Sequence, residues 1–360
     1  MAASNKSPPT LRWGIIATGQ ISSWFVRDLS LSRSDAKAKH VIAAIGSSSQ
    51  EKGEAFVKEW IPKVDPAPKV YAGYDNIYNH PDVDIVYIGT PHGFHKQNCL
   101  AAISAGKHVL CEKAFTLNAR DAKEVFAAAK EKGVFVMEAL WTRFFPLVQE
   151  LQHLIHEEKV IGNVHRVFAD LGLDQDLASL GPESRLKNPA LGAGTLLDVC
   201  IYSLTWGLLS LDRNIGEAAE QPVIKAVQTL SDTIDVASTV VLFYPSTGRQ
   251  AICTSTAMFR TPDVFCRIEG SEGHITVEGV SASCPSAFTV YSKGQSLSEG
   301  KRFTTPNPGF GLFWEADAVA EDIAAGKKEN TIMPWAETVR VLEILDEARR
   351  QGGARFPVDD

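Results

Sequence analysis

Leu11-Arg12-Trp13-Gly14-Ile15-Ile16-Ala17-Thr18-Gly19-Gln20-Ile21-Ser22 is the stretch on which the fold turns. An apolar run, Leu11 to Ile16, leads through Ala17-Thr18-Gly19 into a segment where Ile21, Phe25 and Leu29 recur every four residues, the spacing of one helix face. Strand, tight turn and helix follow in that order. Further apolar runs stand at Val41 to Ile45, Val83 to Ile88, His108 to Cys111 and Val134 to Met137. Helical patterns separate them, and in one of these Ala122, Val125, Phe126 and Ala129 share a face behind Asn118, a cap candidate. Such alternation predicts βαβ units and a doubly wound parallel sheet, the Rossmann arrangement, over residues 1–140, with residues 1–10 frayed.

After Leu140 the rhythm changes, and residues 141–360 are expected to form a second, substrate-binding α/β domain. Leu147, Val148, Leu151, Leu154 and Ile155 mark one amphipathic helix, and Leu196 to Leu209 another, approached through Gly192 and Gly194. Strands then dominate: Val164 to Leu173, Val223 to Thr229, Val236 to Phe243, Ala251 to Met258, Val264 to Glu269 and His274 to Val277. They are short, rich in β-branched residues and separated by turn formers, which predicts an open-faced, mostly antiparallel sheet. Phe313 to Ala325 and Trp335 to Gln351 read as closing helices.

Composition narrows the function. The chain has 360 residues, 44% hydrophobic and 22% charged, with a net charge of -7 and no long run of one sign, so small molecules rather than nucleic acid or a membrane surface are the expected partners. Six cysteines lie without a C-x-x-C pair, which points to no metal site and to a reducing, cytoplasmic setting. The N-terminal residues lack the apolar core of a signal peptide, and no stretch of eighteen uninterrupted apolar residues follows.

Dinucleotide-binding turns place a pyrophosphate at a helix N-terminus, where free N–H groups face it. Against the G-x-G-x-x-G pattern this chain keeps only Gly19, with Ala17 and Ser22 at the outer positions; Thr18, Gln20 and Ile21 complete the loop. At the end of the second strand the loop Gly46-Ser47-Ser48-Ser49-Gln50-Glu51-Lys52 holds no acid at the position that binds the ribose in NAD enzymes. Ser47 and Ser48 can donate to a 2′-phosphate and Lys52 can reach it, so NADP is favoured over NAD; the other reading is that the serines only start the next helix. Two later strand ends carry Thr90-Pro91-His92 and Cys111-Glu112-Lys113, where open α/β sheets bind ligands. His92 and His95 either line the cofactor cleft or cap a helix. Asp198 and Tyr202, four apart in an apolar helix, would be costly in a plain core and fit a cleft.

These residues, together with Met137-Glu138-Ala139-Leu140-Trp141-Thr142-Arg143-Phe144-Phe145-Pro146 and Gly194-Thr195-Leu196-Leu197-Asp198-Val199-Cys200-Ile201-Tyr202, resemble the glucose-fructose oxidoreductase and inositol dehydrogenase superfamily from Leu11 to about Phe356. Trp141-Thr142-Arg143 and a tyrosine in place of the commoner histidine resemble its dimeric dihydrodiol dehydrogenase branch. Cys111-Glu112-Lys113-Ala114-Phe115-Thr116, Phe313-Trp314-Glu315-Ala316-Asp317 and the Arg349-Gln351-Gly352-Gly353 region are most similar to the fungal NADP-dependent D-xylose 1-dehydrogenases. The resemblance implies a homodimer paired through the open sheet. It implies Lys113 and Tyr202 as catalytic pair with Asp198 beside them, and a cofactor lined by Thr90, Pro91, His92, His95, Glu112 and Lys113. Trp141, Arg143 and Phe144 would shape the substrate pocket. The family's lysine is usually followed by proline, often in a cis bond; here Ala114 follows. An ammonium about 4 Å from the phenol, at an effective dielectric near 20, would supply on the order of 4 kcal/mol, enough to bring a tyrosine from about 10 to about 7. The implied reaction is oxidation of an aldose at its anomeric hydroxyl, with a trans-dihydrodiol or carbonyl substrate as the alternative. A non-catalytic dinucleotide sensor is a third reading, which the retained Lys113, Asp198 and Tyr202 argue against.

Overall fold

The computed structural model describes residues 7–61 and 64–359. Of the fraying expected over residues 1–10, the part on residues 1–6 lies outside the described residues. The opening stretch forms β1 (Thr10–Ile16) and α1 (Gln20–Leu29), and the pattern continues through β2 (Lys39–Ser47), α2 (Gln50–Trp60), β3 (Lys69–Ala72), α3 (Asp75–Tyr78), β4 (Ile85–Ile88), α4 (His95–Ser104), β5 (His108–Glu112), α5 (Ala119–Lys132) and β6 (Val136–Ala139). The six strands pair in parallel in the order β3-β2-β1-β4-β5-β6. The order reverses between β1 and β4, the crevice where such sheets bind ligands. All four residues of β4 are buried, as a strand covered on both faces requires. β3 was not expected; it is a half-exposed edge of four residues, too short for a clear apolar run.

A 3-10 turn, Trp141–Phe144, leads into α6 (Pro146–His156) and then β7 (Val164–Gly172). After a long connection, a π-helical turn, Leu196–Cys200, runs into α7 (Ile201–Leu211). There follow β8 (Val223–Ser231), β9 (Ile234–Tyr244), β10 (Arg249–Thr256), β11 (Val264–Gly270), β12 (Gly273–Ser281), β13 (Cys284–Ser292), β14 (Lys301–Thr304), α8 (Leu312–Ala324) and α9 (Trp335–Gly352). The eight strands lie in the order β14-β13-β12-β11-β7-β10-β9-β8, antiparallel except where β7 meets β10. β13 and β14 were not expected, because Pro285 interrupts the run; the ladder accepts it by shifting register at Gly279. Val167, Ala169 and Leu171 of β7 and Ala251 and Cys253 of β10 are buried on the side where α7 packs. Phe168, Asp170, Ile252 and Thr254 point the other way, onto an open face. By length and composition Pro189–Leu211 could cross a membrane, but 89% of its most apolar window is buried inside the protein.

The C-terminal helices return to the first sheet. From α1, the Asp28 carboxylate accepts the backbone N–H groups of Phe310, Gly311 and Leu312 at 2.7–3.1 Å, capping α8. Asp317 on α8 accepts from Arg33 at 2.6 Å and faces His40 at 3.0 Å. Val136 of β6 donates to Lys328 O at 3.1 Å and accepts from Trp335 Nε1 at 2.8 Å.

Candidate active site

At the β1 end, Gly19 is the N-cap of α1, and a Cβ built on it would meet nothing within 4 Å, so the backbone there is open to a ligand. Ala17 takes a left-handed conformation, φ 72°, and donates its N–H to Gly46 O at 3.0 Å. Ser22, where the fingerprint has its last glycine, is buried against Gly89 at the end of β4; a Cβ on Gly89 would collide with Ser22 Oγ. The close approach of first helix and sheet, usually allowed by that last glycine, is therefore provided by Gly89. Sequence reasoning passed over this residue.

A cleft of about 470 Å³ is lined by Ala17, Thr18, Gly19, Ser48, Lys52 and Tyr74 among others. Ser48 and Lys52 are exposed there. Ser47 corrects the sequence expectation: it ends β2 fully buried, and its Oγ shares a hydrogen bond with Thr18 Oγ1 at 3.1 Å, so it holds the loop rather than facing a 2′-phosphate. Ser49 caps α2 by accepting from Lys52 N–H. Free N–H groups at a helix start, an open glycine, and Ser48 with Lys52 where the end of β2 carries no acid fit a phosphorylated dinucleotide.

The β5 end carries Lys113 in a cis Lys113–Ala114 peptide, the geometry that the resemblance leads one to expect with proline at this position. Two histidines brace this turn from behind. His95 Nε2 lies 2.7 Å from Thr90 O, and its Nδ1 lies 3.0 and 3.2 Å from Ala114 O and Phe115 O. His92 lies 3.1 Å from both Gly192 O and Lys113 O. His95 is fully buried and contacts backbone, so it positions the turn rather than lining the cleft. Burial and the neighbouring His95 and Lys113 push His92 down to about 3, a neutral ring. Pro91 starts the short turn that carries these rings, and Thr90 Oγ1 accepts from Asn98 Nδ2 at 3.2 Å. Glu112, expected against a cofactor, turns its carboxyl inward to accept from Tyr87 Oη at 2.7 Å, and burial raises it to about 7.

Lys113 Nζ donates to Asp198 O at 2.5 Å and to Asp198 Oδ1 at 3.0 Å. The wide π-helical turn opens that carbonyl oxygen to the ammonium; such turns recur at functional sites. Gly194, φ 122°, and Asp235, which accepts from Thr195 Oγ1 and Leu196 N at 2.7 Å, fix where the turn begins. Burial works to raise the Asp198 carboxyl, but Lys113 and Arg185 hold it well below the usual carboxylate range. Tyr202 follows one turn later, and its Oη accepts from Trp141 Nε1 at 2.7 Å. Lys113 Nζ stands 5.1 Å from the centroid of the Tyr202 ring and donates its hydrogen bonds to Asp198, not to the phenol oxygen. The phenol accordingly departs from the expected lowering: burial, then Glu112, Asp198 and Glu315, push it well above 10, against the Trp141 N–H.

Trp141 is thus a direct, buried partner of Tyr202. Arg143 is not in the pocket: it is 1% exposed and pairs with the equally buried Glu337 at 2.7 Å. The Trp-Thr-Arg run turns as a 3-10 helix, whose three residues per turn send the two side chains about 120° apart, Trp141 to Tyr202 and Arg143 to Glu337. Phe144 is buried beside it. Arg185 and Glu337 were not anticipated, because each acts through a partner outside its own local pattern, Asp198 and Arg143.

A model of an oxidoreductase family with an NAD-binding Rossmann fold matches residues 11–140. The D-xylose 1-dehydrogenase (NADP(+)) of Hypocrea jecorina is 35% identical over 99% of this chain and 95% of its own length. The trans-1,2-dihydrobenzene-1,2-diol dehydrogenase of Danio rerio is 33% identical over 97% of this chain and 99% of its own. Among solved structures, the aldose-aldose oxidoreductase of Caulobacter crescentus superposes with a TM-score of 0.78 over 95% of this chain and 97% of its own, at 24% identity, a likeness of fold.

Proposed function

Since this chain belongs to the GFO/IDH/MocA oxidoreductase family, we propose that it is an NADP-dependent dehydrogenase that oxidises the anomeric hydroxyl of an aldose, D-xylose foremost, to the lactone. The observation that carries the reading is the convergence of Lys113, Asp198, Trp141 and Tyr202 at the strand ends beside the dinucleotide cleft. Ala17 to Ile21 and Ser48 with Lys52 would hold the pyrophosphate and 2′-phosphate, while Thr90, Pro91 and Lys113 would border the nicotinamide. The oxidised cofactor, when bound, supplies the hydride acceptor and a positive charge.

In this reading Tyr202 Oη is the general base. Taking the hydroxyl proton puts negative charge on or near this oxygen during the step, and the Trp141 N–H at 2.7 Å and the Lys113 ammonium over the ring both favour that charge. Asp198 fixes Lys113 through two bonds, and its remaining oxygen is open to a substrate hydroxyl in exchange for Arg185. The same groups serve a trans-dihydrodiol, the second reading, which the relatives of that name support. All six cysteines are free thiols, in keeping with a reducing compartment, and we place the enzyme in the cytoplasm as a homodimer joined through the open face of its second sheet.

The test follows NADPH formation by absorbance with D-xylose or a trans-dihydrodiol and NADP or NAD. Turnover is expected with NADP, and Tyr202→Phe and Lys113→Met should each lower kcat roughly a hundredfold to ten-thousandfold while NADPH still binds. A Tyr202→Phe enzyme with wild-type kcat would remove the base assignment.

A further inference from the structure

Between β7 and the π-helical turn, residues 173–193 run as a strap over the site. One end is tied to the second sheet by Leu173 N–H to Thr256 O at 2.8 Å and Gln175 N–H to Ala257 O at 2.9 Å. The other reaches the first sheet, where His92 meets Gly192 O and where Gly93 lies so close to Ala190 O that any Cβ would collide. Beneath it is a small hollow lined by Gln175, Leu177, Leu186, Thr195, Asp198 and Asp235 among others. Arg185, on this strap, donates from Nη1 to Asp198 Oδ2 at 3.3 Å.

One carboxylate therefore serves two cations of unequal standing. Lys113 is 12% exposed and holds Asp198 by two bonds, at 2.5 and 3.0 Å. Arg185 is 54% exposed and holds it by one longer bond. An ion pair so open to water is screened and weak, whereas a hydroxyl donating to a carboxylate makes a short, charge-assisted bond. A substrate hydroxyl arriving at Asp198 Oδ2 displaces Arg185, not Lys113. The freed guanidinium stays on the strap above the substrate, with a planar fork of N–H donors and no acceptor of its own.

We propose that Arg185 is a displaceable latch that reads the substrate: it yields Asp198 to the hydroxyl beside the reacting carbon and then donates to the oxygens farther along the molecule. The chemical class this selects is a polyhydroxylated chain or ring with vicinal oxygens beyond the reacting carbon, as in an aldose. A hydrocarbon-ring diol offers two oxygens only, both already engaged at Tyr202 and Asp198. The choice of substrate class rests on the dehydrogenase reading above; the latch itself rests on the shared carboxylate.

The experiment compares wild type, Arg185→Ala and Arg185→Lys with D-xylose and trans-1,2-dihydrobenzene-1,2-diol, alongside NADPH affinity by fluorescence. In Arg185→Ala, KM for xylose should rise about tenfold, the loss of hydrogen bonds from a charged donor, while kcat for xylose, KM for the diol and NADPH affinity stay within about twofold. Arg185→Lys should recover part of the xylose KM, since the cation remains without its fork. Parallel changes for both substrates, or none for either, overturn the latch. Should wild type oxidise neither compound, the dehydrogenase reading fails on its own; the latch is then judged by calorimetric binding of xylose to the NADPH-loaded protein, where weaker binding by Arg185→Ala sustains it and equal binding, or none to wild type, overturns it.

Discussion

Glu315 has no cation beside it, and neither of its carboxyl oxygens finds a hydrogen-bond partner among the described residues. Burial first, and then the nearby Glu112 and Asp28, push it well above its ordinary 4.5. The folded state therefore keeps a proton that the unfolded chain releases above about 4.5, so stability is fully present below that pH and is lost as pH rises toward the raised folded value. Glu315→Gln keeps the shape and removes the titration. Its melting temperature should match wild type near pH 4.5 and exceed it near pH 8, each ~1 kcal/mol being worth a few degrees in a chain of this size; equal melting temperatures at both would show a carboxyl free to ionise where it stands. At this scale the sequence was informative where chemistry repeats along the chain. Lys113, Asp198 and Tyr202 sit at strand ends and helix spacings that a reader can count, and they do converge. Arg143 and Ser47 carry suitable functional groups but face the other way, and the facing is set by a 3-10 turn and by the last residue of a strand, neither of which leaves a periodic trace.

α5 shows an element fixed locally at both ends. Asn118 accepts the Asp121 N–H at 2.8 Å, and Gly133 ends the helix in the left-handed conformation, φ 71°. The cap was legible because its signal lies within four residues. Asn118→Ala should lower stability by about 1 kcal/mol, with Asn118→Asp retaining most of it and kcat unchanged in both; denaturant midpoints would decide, and a loss of activity without a loss of stability would instead place Asn118 in the site. β3, β13 and β14 were missed for the opposite reason. β3 is a four-residue edge, and β13 contains a proline that only its bulged pairing with β12 makes tolerable, so each strand exists by virtue of its neighbour. The π-helical turn at Leu196–Cys200 is of the same kind: the spacing of Asp198 and Tyr202 was readable, but the widened turn that gives Lys113 the Asp198 carbonyl depends on Asp235, held by another strand.

At the scale of the molecule, one face of the second sheet carries no helix among the described residues. Phe168 lies there between the guanidinium groups of Arg166 and Arg267, each 4.8 Å from its ring, with Ile252 and Thr254 alongside. If subunits pair through this face, Ile252→Arg should convert the protein from dimer to monomer in analytical ultracentrifugation at micromolar concentration; an unchanged mass would move the interface elsewhere. Both sheets were foreseeable from the switch of hydrophobic period near Leu140, because each is built from consecutive strands. The return of the C-terminal helices was not, since Asp28, Ala119 and Val136 find their partners some two hundred residues or more away, at Leu312, Asp346 and Trp335. That return imposes an order on biosynthesis. When residues 1–140 leave the ribosome, the amides that Asp28 will bind, the carboxylate that will receive the Ala119 N–H and the indole that will close on Val136 have not been made. The nascent nucleotide-binding part must wait, with these bonds open, until the whole second sheet has been translated, and segments made after that sheet complete a part made before it.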